Sequence, residues 1–134
     1  MIDSIFLDSS VLFSAAQMRN GLHTLWDMAD LKICRLLSSQ YAVEKAKRNL
    51  HGKWLKQRLE RLLAPVEIVL EADPRKTCPV QLPQPLSAIL MSAIVSRANY
   101  LVTADLKKFE SIKGQKIQGL TVCSVKDYLA TKHA

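Results

Sequence analysis

The chain has 134 residues, 49% of them apolar, with 19 Lys and Arg against 12 Asp and Glu and a formal charge of +7. A domain of this size buries enough surface to hold a core without disulfides or a structural metal. Such an apolar fraction, with only 5 Pro and 4 Gly, excludes a charge-extended disordered coil. The cysteines Cys34, Cys78 and Cys123 form no CxxC pair and have no clustered His beside them. That pattern argues against a zinc site or a disulfide framework and fits small buried side chains in a reducing compartment. Asp3 and Asp8 interrupt the opening apolar stretch, so no leader is read there. The longest apolar run, Ala88 to Met91, falls far short of the roughly 20 residues a membrane span needs. A cytoplasmic location with no membrane association is expected.

In chain order, five short apolar or β-branched runs alternate with stretches of helical period. The strands are read at Ser4 to Leu7, Leu31 to Leu36, Val66 to Leu70, Tyr100 to Thr103 and Leu120 to Cys123. Helices are read at Ser10 to Met18 and Leu22 to Met28. A third runs from Ser39 to Leu50, with Val43, Ala46 and Leu50 three and four apart. Gly52 breaks the pattern, and Trp54, Leu55, Leu59, Leu62 and Leu63 then form a second stripe that Pro65 ends. Ala72 to Pro85, with Pro74, Pro79, Pro83 and Pro85, reads as a loop inside the domain. From Leu86 to Ile94 the spacing predicts a helix apolar nearly all round and therefore buried. A short helix, Ser124 to Thr131, closes the chain behind a Ser cap. Alternating strands and helices of this kind build an α/β domain, a central parallel sheet of about five strands covered on both faces, over residues 1–134.

In such a sheet, ligands gather outside the carboxyl ends of the strands. Asp8 directly follows Ile5-Phe6-Leu7, and Asp105 follows Tyr100 to Ala104. Each taken alone is explained as a helix N-cap. Two acids ending two strands is a narrower coincidence, and crowded carboxylates with oxygen-only ligands favour Mg²⁺ or Mn²⁺ between them. Other chemistries lack their parts. The turn Asp8-Ser9-Ser10 has no glycine, and no GxGxxG, Walker loop or GxSxG is present. Ser10 stands where a haloacid-dehalogenase-type phosphatase needs its second Asp, and His23, His51 and His133 are scattered.

The positive charge is concentrated in two segments. Six cations, Lys45, Lys47, Arg48, Lys53, Lys56 and Arg58, run without an intervening acid, and Lys107, Lys108, Lys113 and Lys116 form the second group. Solvated helix faces account for such groups equally well. Beside an acidic centre, they also suit a polyanionic substrate cut with metal help.

These residues resemble the PIN domain, an α/β nuclease fold found in the toxin half of bacterial toxin–antitoxin pairs and in RNA-processing factors. The opening Ile5-Phe6-Leu7-Asp8-Ser9-Ser10-Val11-Leu12 is similar to the family's first strand and acid. Glu44, within Ser39 to Leu50, falls in the place of its second acid. The stretch from Ala93 to Asp105, followed by Phe109, is similar to its most distinctive part, and Gly119 to Leu129 looks like its tail. The resemblance covers nearly the whole chain and implies a three-layer α/β/α fold.

It further implies a metal-dependent endoribonuclease in which Asp8, Glu44 and Asp105 are catalytic and bind Mg²⁺ or Mn²⁺, with Ser9 and Thr103 steadying them. RNA would lie on Lys45, Lys47, Arg48, Lys53, Lys107 and Lys108. An antitoxin protein and a homodimer, the latter through the Leu22 to Met28 helix, are the partners it suggests. Glu44 has a second explanation, a helix-surface pair with Arg48. Two departures stand out: Leu86 occupies the position where the family has a further Asp, and Lys108 occupies another frequent acid position. The site is thereby trimmed to three acids, with Glu110 or Asp73 as neighbours it could borrow. The alternative is a PIN-like module that binds RNA or a protein without cleaving.

Overall fold

The computed structural model describes residues 2–18, 22–73 and 75–132, so Pro74 and His133 of the sequence reading lie outside the described residues. Strand β1 (Asp3–Leu7) feeds helix α1 (Ser9–Ala16), and α2 (His23–Asp30) leads to β2 (Cys34–Ser39). Next come α3 (Gln40–Asn49), α4 (Lys53–Leu62) and β3 (Val66–Val69). After the proline loop, α5 (Leu86–Val95) leads to β4 (Tyr100–Thr103) and a 3₁₀ segment (Leu106–Ile112) kinked at Phe109. The short β5 (Lys116–Ile117), β6 (Leu120–Ser124) and α6 (Val125–Lys132) complete the order.

The strands form one sheet in the order β3-β2-β1-β4-β6-β5. All pairings are parallel except β5 with β6, a hairpin that adds a sixth, antiparallel strand to the five expected. Side chains alternate across the sheet with period two. Ile5, Leu7, Leu36 and Val102 join the core beneath α1, α2, α3, α4 and α6. Phe6, Leu37, Leu101 and Val122 join the opposite core beneath α5 and the 3₁₀ segment. The result is the three-layer α/β/α arrangement expected from the sequence. Burial on both faces is also why the central strands read as unbroken apolar runs.

Three expectations are corrected. The second strand was expected over Leu31 to Leu36 but runs from Cys34 to Ser39. Leu31 and Ile33 instead belong to the end of α2: Lys32 is left-handed (φ 62°), Lys32 N–H donates to Ala29 O and Ile33 N–H to Met28 O. This is a Schellman closure built without glycine. The strand's other end looks polar yet is buried, because Ser38 Oγ donates to Leu7 O across 2.9 Å and Ser39 Oγ accepts from Ala42 N to cap α3. Second, α5 is buried on one side only: Ile89, Leu90 and Ala93 face the core, whereas Ala88 is exposed and Val95 is 49% exposed. Third, the apolar residues of α2 do not form an outward dimer face, since Leu22, Leu25 and Trp26 are buried in the chain's own core. Among the described residues no helix is long and apolar enough to cross a membrane.

Candidate functional site

The chain runs outward from β1 through β2 to β3, then returns to β4 on the other side of β1. The switch in strand order therefore lies between β1 and β4, the place where an open α/β sheet leaves a crevice for ligands. Asp8 ends one of these strands and Asp105 follows the end of the other.

Asp8 is 2% exposed. Its Oδ1 accepts from Ser9 N–H at 2.7 Å, capping α1, with Ser9 Oγ more distant at 3.4 Å. Its Oδ2 accepts from Ser10 Oγ at 3.0 Å and from Thr103 Oγ1 at 2.9 Å. These two hydroxyls are 3.1 Å apart and are fed from behind, since Ala104 N–H donates to Ser10 Oγ and Asp105 N–H to Thr103 Oγ1, both at 3.0 Å. Each hydroxyl carries one proton. Oδ2 contributes no proton to this network and lies within reach of both hydroxyls, so both protons are assigned to it. Two backbone dipoles of the turn after β4 are thus relayed through Ser10 and Thr103 onto a buried carboxylate. Among the described residues no buried side-chain polar atom lacks a partner.

Asp105 is the more open acid. Its carboxylate is 45% exposed, makes no side-chain cap to the 3₁₀ segment, and has Lys108 Nζ at 3.8 Å. Glu44 is exposed on α3, where Gln40 Nε2 donates to its Oε1 at 3.1 Å. The partner is thus Gln40, not the Arg48 considered from sequence. Helix α3 buries Ala42, Val43 and Ala46, which turns the Glu44 position outward. The three acids do not form one cluster, and no group of three or more Asp, Glu, His or Cys among the described residues is placed to hold a metal ion. At the Leu86 gap the first turn of α5 itself contains no acid, and the acids placed beside it are Glu71 and Asp73, which line cavities with Gln84 and Ala88. Asp73 bonds Arg75 in the exposed loop.

As a donor set, Asp8 and Asp105 fit Mg²⁺ or Mn²⁺ in its sparer mode, in which one or two carboxylates are completed by water and phosphate oxygens. They do not make the three-carboxylate site that the resemblance implies.

The cations divide by use. Lys47 is paired with Glu60, and Lys108 faces Asp105. Arg58 Nε donates to Ala16 O at 3.0 Å and ties α4 to α1. Lys45 is half-buried, and Arg48, Lys53, Lys56 and Lys107 are exposed. Reading the sequence alone passed over Ser10, whose only signal was a hydroxyl two positions after the strand-ending acid. It also placed Trp54 in the apolar stripe of α4, whereas the residue is 58% exposed beside Arg58.

No family model and no curated protein matches the chain. Among solved structures, it is similar to a chain in the crystal structure of VapBC2 from Rickettsia felis bound to a DNA fragment from their promoter. The TM-score is 0.63 at 16% sequence identity, over 90% of this chain and 98% of that one. The likeness is one of fold.

Proposed function

We propose that the chain is a Mg²⁺- or Mn²⁺-dependent endoribonuclease of the PIN type, with its metal held by Asp8 and Asp105. One observation carries the reading: two carboxylates end adjacent parallel strands at the switch point of the sheet, and Thr103 couples them by bonding the side chain of one and the backbone of the other. The bound ion would supply an activated water and neutralise charge on a phosphodiester. Ser9, Ser10 and Thr103 orient the Asp8 carboxylate, a supporting layer of the kind that ligating acids need. Asp105 offers an accessible oxygen pair, and Lys107, with Arg48 and Lys53 farther out, would hold backbone phosphates. Glu44 has no part as a ligand in this arrangement. A protein partner of antitoxin type is supported by the neighbour's own solution as the VapBC2 complex.

A second reading, a module that binds RNA or a protein without cleaving, has its own support. Leu86 and Lys108 stand where the PIN family has acids, and Asp8 already accepts three close hydrogen bonds. Incubating labelled single-stranded RNA with the chain in Mg²⁺, Mn²⁺ or chelator separates the two. The nuclease reading expects metal-dependent fragments that disappear in Asp8→Asn and Asp105→Asn. Fragments persisting in both variants under chelator would overturn it, and RNA bound but intact in every metal would favour the second reading.

A further inference from the structure

We infer that the free edge of β3 is a docking site for an extended segment of a protein partner, one that alternates apolar and basic residues and adds to the sheet as a further strand. β3 is the outermost strand on its side and pairs with β2 alone. Among the described residues, Glu67 to Val69 make no backbone hydrogen bond outside that pairing. An edge strand of this kind presents unpaired N–H and C=O groups, a template for another chain. The two edges of the sheet differ. The far one ends in β5, two residues long and carrying Lys116, the sort of short, charged strand that discourages pairing. Val66–Val69 has no Lys and no Pro, and its register with β2 runs without a bulge.

The side chains select the occupant. Period two puts Ile68 on the same side of the sheet as Val66, and Glu67 on the other side with Val69. Ile68 is 48% exposed and Leu70 89%, which leaves an apolar pair open. Glu67 and Glu71 are exposed as well, and Glu71 lines a cavity of about 310 Å³ with Pro85, Ala88 and Ile89, on the α5 side where Val69 packs. From Ala64 to Asp73 the sequence holds three acids and no Lys or Arg, in a chain whose charge is +7. Asp73 is taken by Arg75. Glu67 meets Arg35 at 3.0 Å in an exposed pair, which contributes little and leaves room for a second cation. Glu71 Oε1 accepts from Tyr41 N–H at 2.8 Å, and its carboxylate keeps acceptor capacity to spare.

The complement is a strand with Lys or Arg opposite Glu67 and Glu71 and apolar side chains opposite Ile68 and Leu70. RNA, a polyanion, would meet two carboxylates here. A second copy of the chain would bring the same two acids. Antiparallel pairing centred on Ile68 gathers four carboxylates on one side of the sheet, and moving the two-fold by one residue sets Glu67 against Glu67 or against Glu71. Like charges placed directly opposite are destabilising.

The inference rests neither on the metal site nor on RNA, and its test is run in chelator with the full chain. Three short, labelled, acetylated peptides are compared by anisotropy: alternating Lys-Val, the same residues as a Lys block followed by a Val block, and alternating Glu-Val. The alternating Lys-Val peptide should bind and slow hydrogen exchange of the β3 amides. The other two should bind at least roughly tenfold more weakly, and so should Lys-Val to the double variant Glu67→Lys with Glu71→Lys. Ile68→Lys, at an exposed position, should keep its circular dichroism and lose the peptide. No binding by the alternating Lys-Val peptide would overturn the inference. Equal binding of the block peptide, or binding without protection of the β3 amides, would reduce the contact to plain charge attraction and overturn it too. A concentration-dependent dimer in sedimentation that Ile68→Lys abolishes would assign the edge to a second copy. Protection of the same amides by single-stranded RNA would assign it to nucleic acid. Either result would overturn the protein-segment inference.

Discussion

Thr103 Oγ1 and Asp8 Oδ2 meet across 2.9 Å although 95 residues separate them in the chain. The contact is possible because β1 and β4 are neighbours in parallel register, with Leu7 opposite Val102. It makes the strand-ending acid and the turn after β4 one unit, and the first prediction follows from it.

Thr103→Val keeps the shape of the side chain and removes the hydroxyl. Asp8 Oδ2 loses a donor and Asp105 N–H loses its acceptor in a buried setting, at a cost of about 1–3 kcal/mol. Urea unfolding should show this loss, and Thr103→Ser should recover most of it. If cleavage is present, it should fall in Thr103→Val more than in Thr103→Ser. Equal stability of Thr103→Val and wild type would mean that the relay contributes nothing.

Leu86→Asp places a carboxylate in the first turn of α5, which now has no acid and no side-chain cap. A negative charge there interacts favourably with the helix N-terminus. Because hard-cation affinity grows with ligand charge, Mn²⁺ should bind on the order of tenfold more tightly than to wild type. Titration calorimetry reads this directly, and an unchanged or weaker affinity would count against a metal site at this edge.

Burial, together with the nearby Asp127, pushes the Cys123 thiol up from 9.0 to about 11. Burial and the hydrogen bond to Asp3 raise Tyr128 in the same direction. A group that holds its proton more tightly when folded contributes stability that is full below its unfolded value and lost as pH rises through its folded one. The window for Cys123 therefore opens near pH 9 and closes near 11, and is worth on the order of 2–3 kcal/mol. Thermal midpoints should hold level from neutral pH to about 9 and then fall, less steeply in Cys123→Ala. Parallel curves for the two proteins would rule out this thiol as a source.

Arg97, the residue that turns the chain out of α5, is left-handed with φ 61° and has no glycine's freedom. Its N–H donates to Ile94 O, and Ala98 N–H donates to Ala93 O, closing the helix as Lys32 does for α2. Arg97→Gly should relieve about 1 kcal/mol of backbone strain and move the urea midpoint upward without changing the slope. A lower midpoint would show that the exposed Arg97 side chain makes a larger contribution than the strain it carries.

Tyr100 to Thr103 was read to the residue, and the first and last strands to within a residue, because burial on both sheet faces leaves an apolar run that local reading detects; the third, an edge strand with Glu67 and Ile68 exposed, was legible from its β-branched residues instead. The end of α2 was misread because Leu31 and Ile33 are apolar but belong to a turn, and because Lys32 occupies the left-handed position where a glycine would have marked a stop. Ser38 and Ser39 look like loop residues and are strand residues, since their hydroxyls bond within the fold. The hairpin of β5 with β6 escaped notice because two residues carry no periodicity.

Residue order alone established the layer type, the alternation of strands and helices, and the acids that end β1 and β4, all of which follow from apolar period and position along the chain. Tertiary structure decided which strands are neighbours, and so which acids share an edge. It put Thr103 and Ser10 against Asp8, turned Glu44 toward Gln40, and set Arg58 over Trp54. Hydrogen bonds of this kind join residues far apart in the chain or depend on which side of a helix faces the core, and neither relation is written in local sequence pattern.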